Sequence, residues 1–142
     1  KQTGINLGRS LGKIILDKEK QQDVACLIPV PIFHRKKFDR GYNQAESIAI
    51  GLSLELNIPM QNKLIKKTKN TISQTKLTKS QRSRNVENTF VASAALSEIK
   101  AIGIVDDVLT TGATIREICK EIIKVNETIE ITIFTLGVAK HE

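Results

Sequence analysis

Two adjacent carboxylates, Asp106 and Asp107, close an apolar run that begins at Ala101. Thr110-Thr111-Gly112-Ala113-Thr114 follows at once, small and hydroxyl-bearing, and an amphipathic stretch follows that. The order reads as strand, acidic pair, anion-cradling loop, helix. A helix N-terminus carries unpaired N–H groups and about half a positive charge. Gly112 lets the backbone approach an anion closely, and Thr110, Thr111 and Thr114 add hydroxyl donors. A phosphomonoester, compact and dianionic, suits such a cradle. The two carboxylates would accept from sugar hydroxyls and attract Mg²⁺, mostly through water. Phosphate, diol and divalent cation could thus converge within a few residues. The plainer alternative is an ordinary strand-to-helix turn whose acids sit near a helix N-terminus for dipole reasons.

The elements that must position these residues are legible as periodicities. The run over 101–105 predicts a buried strand, and residues 114–125 predict a helix with Ile115, Ile118, Cys119, Ile122 and Ile123 on one face. Thr114 and Glu117 have the spacing of a capping box. A short apolar run over 24–30 predicts a second buried strand, ended by Pro29 and Pro31. A basic loop follows, and Asn43, with Glu46 three residues on, predicts the start of a helix that ends near Pro59. Residues 89–92 and 129–138 predict further strands, and Gly137 marks a bulge or a close approach in the last. A helix is expected over about 5–20, with Leu7, Leu11, Ile14 and Ile15 at helical spacing. Gly4, Gly8 and Gly12 share one of its faces, which suits tight backbone packing. Helices alternating with short strands predict an α/β domain with a largely parallel sheet.

At 142 residues the chain fits one domain, 1–142, with 40% hydrophobic and 26% charged residues. No run approaches the length of a membrane span. Cys26 and Cys119 are expected as buried thiols rather than a disulfide, with the cytoplasm as the default compartment. The formal charge of +7 is local. Between Glu55 and Glu87 there is no acid, while Lys63, Lys66, Lys67, Lys69, Lys76, Lys79, Arg82 and Arg84 fall there. Such a segment suggests an anionic ligand, whether nucleic acid, a phosphorylated small molecule or pyrophosphate; a solvated lysine-rich loop is the alternative. With 4% aromatic residues and no Trp, stacking platforms for single strands are poor, and Tyr42 is expected to pack. His34 and His141 are expected as solvated histidines.

The run from Ile104 to Thr114 resembles the phosphoribosyl-pyrophosphate (PRPP) signature of type I phosphoribosyltransferases. Ala113 stands where many members have a second glycine, a change that costs little if its dihedrals are helical. Ile28-Pro29-Val30-Pro31, Arg40-Gly41-Tyr42-Asn43-Gln44, Gln74, Leu77, Arg82, Asn85 and Phe90 resemble the ComF-type, competence-associated branch. The resemblance spans roughly residues 5–138; the cysteine-rich segment with which such proteins often begin is absent from 1–142. It implies a largely parallel five-stranded sheet flanked by helices, with a long flexible loop. Thr110, Thr111, Gly112, Ala113 and Thr114 would hold the ribose phosphate, and Asp106 and Asp107 the ribose hydroxyls and, indirectly, Mg²⁺. Arg35, Arg40 and Gly41 would hold pyrophosphate, and Lys76, Lys79, Arg82 and Arg84 would lie on the closing loop. The implied partners are PRPP and a small-molecule acceptor, a base or an amine. Nucleic acid on the basic loop and a homodimer stay open. Displacement in this family needs no protein nucleophile, in keeping with the lack of a Ser-His or Cys-His constellation. A binding module in DNA uptake or regulation is the alternative. A receiver-like fold is a third reading, which would need a further Asp or Lys at a neighbouring strand end.

Overall fold

The computed structural model describes residues 1–18, 23–32, 41–68 and 89–139. The central strand, β4 (Ala101–Leu109), lies between β1 (Leu27–Pro29) and β5 (Glu130–Val138), and both pairings are parallel. Ala101 to Val105 are buried, and their side chains alternate between two cores. Ile102 and Ile104 pack with Ile115, Ile118 and Ile122 of α3 (Ala113–Val125). Val105 packs on the other face with Ile48, Ala49 and Leu52 of α2 (Gln44–Leu56). The period-two alternation and a sheet covered on both sides explain why β4 reads as a continuous apolar run. Gly103 makes room there, since a Cβ would sit 2.5 Å from the Phe134 ring and 2.8 Å from Leu27.

The helix α1 (Gln2–Asp17) packs on α2 through glycines. A Cβ on Gly8 would lie 2.1 Å from the Ile48 carbonyl oxygen, and one on Gly51 2.1 Å from that of Ile5. The Gly4/Gly8/Gly12 face therefore packs closely on α2, as the spacing predicts: Gly8 meets the Ile48 backbone, while Gly4 and Gly12 stand against the Ser47 and Glu55 side chains. The apolar stripe is only half used. Leu11 and Ile15 join the core, while Leu7 and Ile14 are exposed, because the glycine face rather than the stripe points at α2.

The sheet differs from a single five-stranded one. Among the described residues, β2 (Ile65–Lys67) and β3 (Phe90–Ala92) form a separate antiparallel pair. The outer edge of β1 is occupied instead by the segment after α2: Leu27 N donates to Pro59 O and Gln61 N to Leu27 O, both at 2.8 Å. The parallel sheet flanked by helices is as expected. Three further expectations change. The strand β4 continues through the acid pair to Leu109, because β5 keeps pairing with it through Val138. Gly137 marks neither a bulge nor a close approach: the pairings on either side keep one register, and a Cβ there would meet nothing within 4 Å. The helix α3 starts at Ala113 and is capped by Gly112 at φ 72°, with no side-chain cap, so the Thr114–Glu117 box does not form. Glu117 is buried, with one oxygen 3.5 Å from Lys120 Nζ.

Candidate active site

The loop between β4 and α3 is shaped by its own backbone. Gly112 takes the left-handed region that glycine enters at little cost. Ala113 follows as the first helical residue, and Asn57 is the only described non-glycine with positive φ. Alanine in place of a second glycine is therefore unstrained. Thr111 Oγ1 accepts from Ala113 N at 3.3 Å, and Arg116 Nη1 donates to Thr111 O at 2.9 Å. A concavity of about 190 Å³ results, lined by Asp106, Val108 and every residue from Leu109 to Ile115. All five residues expected to hold a phosphate line it.

Asp106 and Asp107 together line a second recess of about 150 Å³ with Val30, Ile32, Tyr42 and the first residues around α2. Asp106 thus borders both concavities. Asp106 Oδ1 accepts from Asp107 N at 2.9 Å, and Asp107 Oδ1 from Val108 N at 2.8 Å. One oxygen of each carboxylate is thus held in place by a backbone N–H, and the two acid side chains also interact with each other. Burial pushes the Asp106 carboxyl up to about 7, against the pull of the Asp107 backbone N–H; the Asp107 charge adds to the rise. Burial thus disfavours the Asp106 carboxylate, a cost that a positive charge or hydroxyl donors beside it would offset.

Asn43 fixes the far wall of the recess. It is buried, its Oδ1 accepts from Ala45 N at 3.1 Å to cap α2, and its Nδ2 donates to Val30 O at 2.9 Å. One side chain therefore ties the start of α2 to the exit of β1. Val30 N in turn donates to Val105 O at 2.8 Å, one residue before the acid pair. Beyond Asn43 and Ile32 lies a cleft of about 460 Å³, bordered by Pro29, Pro31, Ile65 and by Lys63, Lys66 and Lys67. The described cations of the basic interval thus face a cleft that adjoins the acid recess. Lys67 also stands 5.4 Å from the Phe90 ring centre.

Of the expected pyrophosphate residues, Gly41 is described, with φ 74°. Arg35 and Arg40, and also His34, Lys76, Lys79, Arg82 and Arg84, lie outside the described residues. Tyr42, expected as a packing residue, is half-buried and borders the acid recess. Arg116 and Asn43 are the site residues that sequence reasoning left without a site role. A cation in the first turn of α3, where the helix dipole disfavours it, was the available signal for Arg116. The carboxyl ends of β1 and β5 carry no acid or lysine among the described residues, which counts against the receiver-like reading. Cys26 and Cys119 are free thiols in the core region, and burial raises the pKa of both. No helix among the described residues is long and apolar enough to cross a membrane.

The fit to Mg²⁺ rests on the donor set. No group of three His, Cys, Asp or Glu residues converges among the described residues. Two adjacent half-buried carboxylates, side by side and repelling one another when charged, suit a cation held partly by water and by ligand oxygens, the usual manner for Mg²⁺.

No protein-family profile matches the chain. It is similar to competence protein F of Haemophilus influenzae, 39% identical over 97 residues, which cover 67% of this chain and 42% of the relative. The chain thus spans about two fifths of that relative's length. Its fold is similar to that of the glutamine PRPP amidotransferase of B. subtilis, with a TM-score of 0.61, 19% identity and coverage of 94% of this chain and 26% of the other. A purine phosphoribosyltransferase of Pyrococcus horikoshii matches with a TM-score of 0.50, 19% identity and coverage of 94% and 70%. With sequence relative and structural neighbours in agreement, the chain belongs to the ComF-type proteins with the type I phosphoribosyltransferase fold.

Proposed function

We propose that this protein is a Mg²⁺-dependent phosphoribosyltransferase that binds PRPP. It would transfer the phosphoribosyl group to a base or amine and release pyrophosphate. One observation carries the reading: Asp106 is shared between the phosphate-sized concavity of Thr110 to Thr114 and the recess that also holds Asp107. In this reading a 5-phosphate would occupy the first and the ribose diol would reach toward the second.

In the reaction, a nitrogen lone pair of the acceptor forms the bond to the anomeric carbon. The carbon–oxygen bond to pyrophosphate breaks, its electron pair leaves with pyrophosphate, and the acceptor's N–H proton passes to water or to the leaving group. Bound Mg²⁺ would neutralise charge on pyrophosphate. The chain's own part is positional. The Gly112 loop holds the phosphate, Asp106 and Asp107 orient the diol, and Asn43 holds the recess wall in register. The lysine-bordered cleft supplies positive potential beside the recess.

The test is PRPP with Mg²⁺ against a panel of purines, pyrimidines and amines, followed by pyrophosphate release. Release with at least one acceptor supports the enzyme. PRPP binding without release for any acceptor removes it.

The name of the Haemophilus influenzae relative and the acid-free basic interval from Glu55 to Glu87 favour a second reading. In it, the same site binds PRPP or a nucleotide without turnover, in a protein that acts in DNA uptake. Neutralising Lys76, Lys79, Arg82 and Arg84 would then flatten the salt dependence of DNA binding. An unchanged slope excludes that segment from a DNA interface.

A further inference from the structure

The first turn of α3 holds Arg116, a cation where the helix dipole is unfavourable to one. It is exposed and has no carboxylate partner among the described residues. Its guanidinium instead donates to the Thr111 carbonyl at 2.9 Å, spanning the Gly112 turn. Gly112 leaves the room for it: a Cβ there would stand 3.2 Å from Arg116 Nη1.

The peptide between Thr111 and Gly112 is trans, so its C=O and N–H point in opposite directions. Drawing the Thr111 carbonyl toward Arg116 therefore turns the Gly112 N–H the other way. We propose that Arg116 is a positioning residue for the phosphate loop. By holding the Thr111 carbonyl it presents the Gly112 N–H to the anion, and it specifies a phosphate-bearing ligand over an uncharged sugar. This rests on the phosphate reading of the loop. It adds a residue that need not touch the ligand: the anion meets an amide, and the amide's direction is set from behind.

The arrangement also explains the cation's place. An arginine that bonded the anion directly could sit on many nearby positions. One that must reach back to the carbonyl five residues earlier, past the turn, is confined to the exposed face of the first helical turn. Charge and orientation then act together, and substitutions separate them. Arg116→Gln keeps a side chain that can donate but loses the charge and the fork. Arg116→Lys keeps the charge and loses the planar reach.

The experiment is titration of the whole chain with ribose 5-phosphate and with ribose, followed by the Gly112 amide signal in ¹⁵N-labelled protein. Wild type, Arg116→Gln and Arg116→Lys are compared, with thermal unfolding as the fold control. In wild type the Gly112 amide should move strongly downfield on adding ribose 5-phosphate and not on adding ribose. Arg116→Gln should bind ribose 5-phosphate about tenfold more weakly. Its Gly112 response should be reduced and its unfolding temperature unchanged, with Arg116→Lys in between. Full affinity and a full Gly112 response in Arg116→Gln would overturn the inference and leave the phosphate reading intact. Full affinity in Arg116→Lys with a silent Gly112 amide would show a charge effect alone, and would equally overturn it. No response of the loop to ribose 5-phosphate in wild type would remove the phosphate reading itself.

Discussion

Asn43 Nδ2 donates to the Val30 carbonyl at 2.9 Å, and the same side chain caps α2 through Ala45 N. A single buried amide thereby locks the exit of β1 to the start of the helix that faces the acid pair. Asn43→Ala leaves the Val30 carbonyl and the Ala45 N–H without these partners, at a cost of about 1–3 kcal/mol. Denaturant unfolding should show that loss. Ligand affinity should fall further than stability predicts, because the wall of the Asp106–Asp107 recess is no longer held. Equal affinity in a folded Asn43→Ala would dissociate Asn43 from the site.

The Asp106 carboxyl, raised to about 7 from an ordinary 3.8, predicts a pH dependence of stability. The folded chain holds a proton that the unfolded chain releases between those two values. The stabilisation is complete below about pH 4 and is lost as pH rises through about 7. Asp106→Asn should then raise the unfolding temperature at pH 8 and leave it nearly unchanged at pH 4. With solvent reaching part of the carboxylate, a gain on the order of 1–2 kcal/mol is expected. No difference in the variant's effect between the two pH values would contradict the assignment.

The same proton couples to binding. A diol or a cation at Asp106 favours the carboxylate, so Mg²⁺-dependent PRPP affinity should rise from pH 6 to pH 8, with proton release. Calorimetry in buffers of different ionisation heat measures that release. Affinity flat across the interval, with no buffer dependence, would separate Asp106 from the ligand.

Gly8 stands against the Ile48 backbone, and Gly12 against the Glu55 side chain. Gly8→Ala drives a methyl to 2.1 Å from a carbonyl oxygen, so α1 must move away, at about 1–3 kcal/mol despite alanine's better helix propensity. Gly12→Ala meets Glu55 Cβ at 2.7 Å, a smaller overlap, and its Cγ at 3.0 Å, which can rotate away. Thermal unfolding should therefore rank Gly8→Ala well below Gly12→Ala. The reverse order would refute the backbone contact.

How much of this was legible in the sequence depends on range. The acid pair, the Gly112 turn and the glycine face are local patterns: the two acids line one recess, Gly112 takes a positive φ, and the glycine face packs closely on α2. The cap of α3 misled, because Thr114 and Glu117 match a capping box while the turn is already closed by Gly112 and the Thr111 hydroxyl. The end of β4 misled too, since polarity at Asp106 reads as a strand end and pairing with Thr135 of β5 keeps the strand going. The separate β2–β3 pair was hidden because strand partners are chosen across the fold: Met60 takes the edge of β1 that a single sheet would give to another strand. Asn43 read as a helix cap, and its bond to Val30 joins residues thirteen apart in sequence, which no local pattern encodes.

The central claim is that Asp106 and Asp107, beside the Gly112 loop, form a Mg²⁺-dependent PRPP site. Calorimetric titration of PRPP into wild type and Asp106→Asn/Asp107→Asn, each with and without Mg²⁺, tests it most directly. Saturable Mg²⁺-dependent binding should appear in wild type. In the folded double variant it should weaken by tenfold or more, about 1.4 kcal/mol at the least. Mg²⁺-dependent affinity unchanged in that variant would contradict the site.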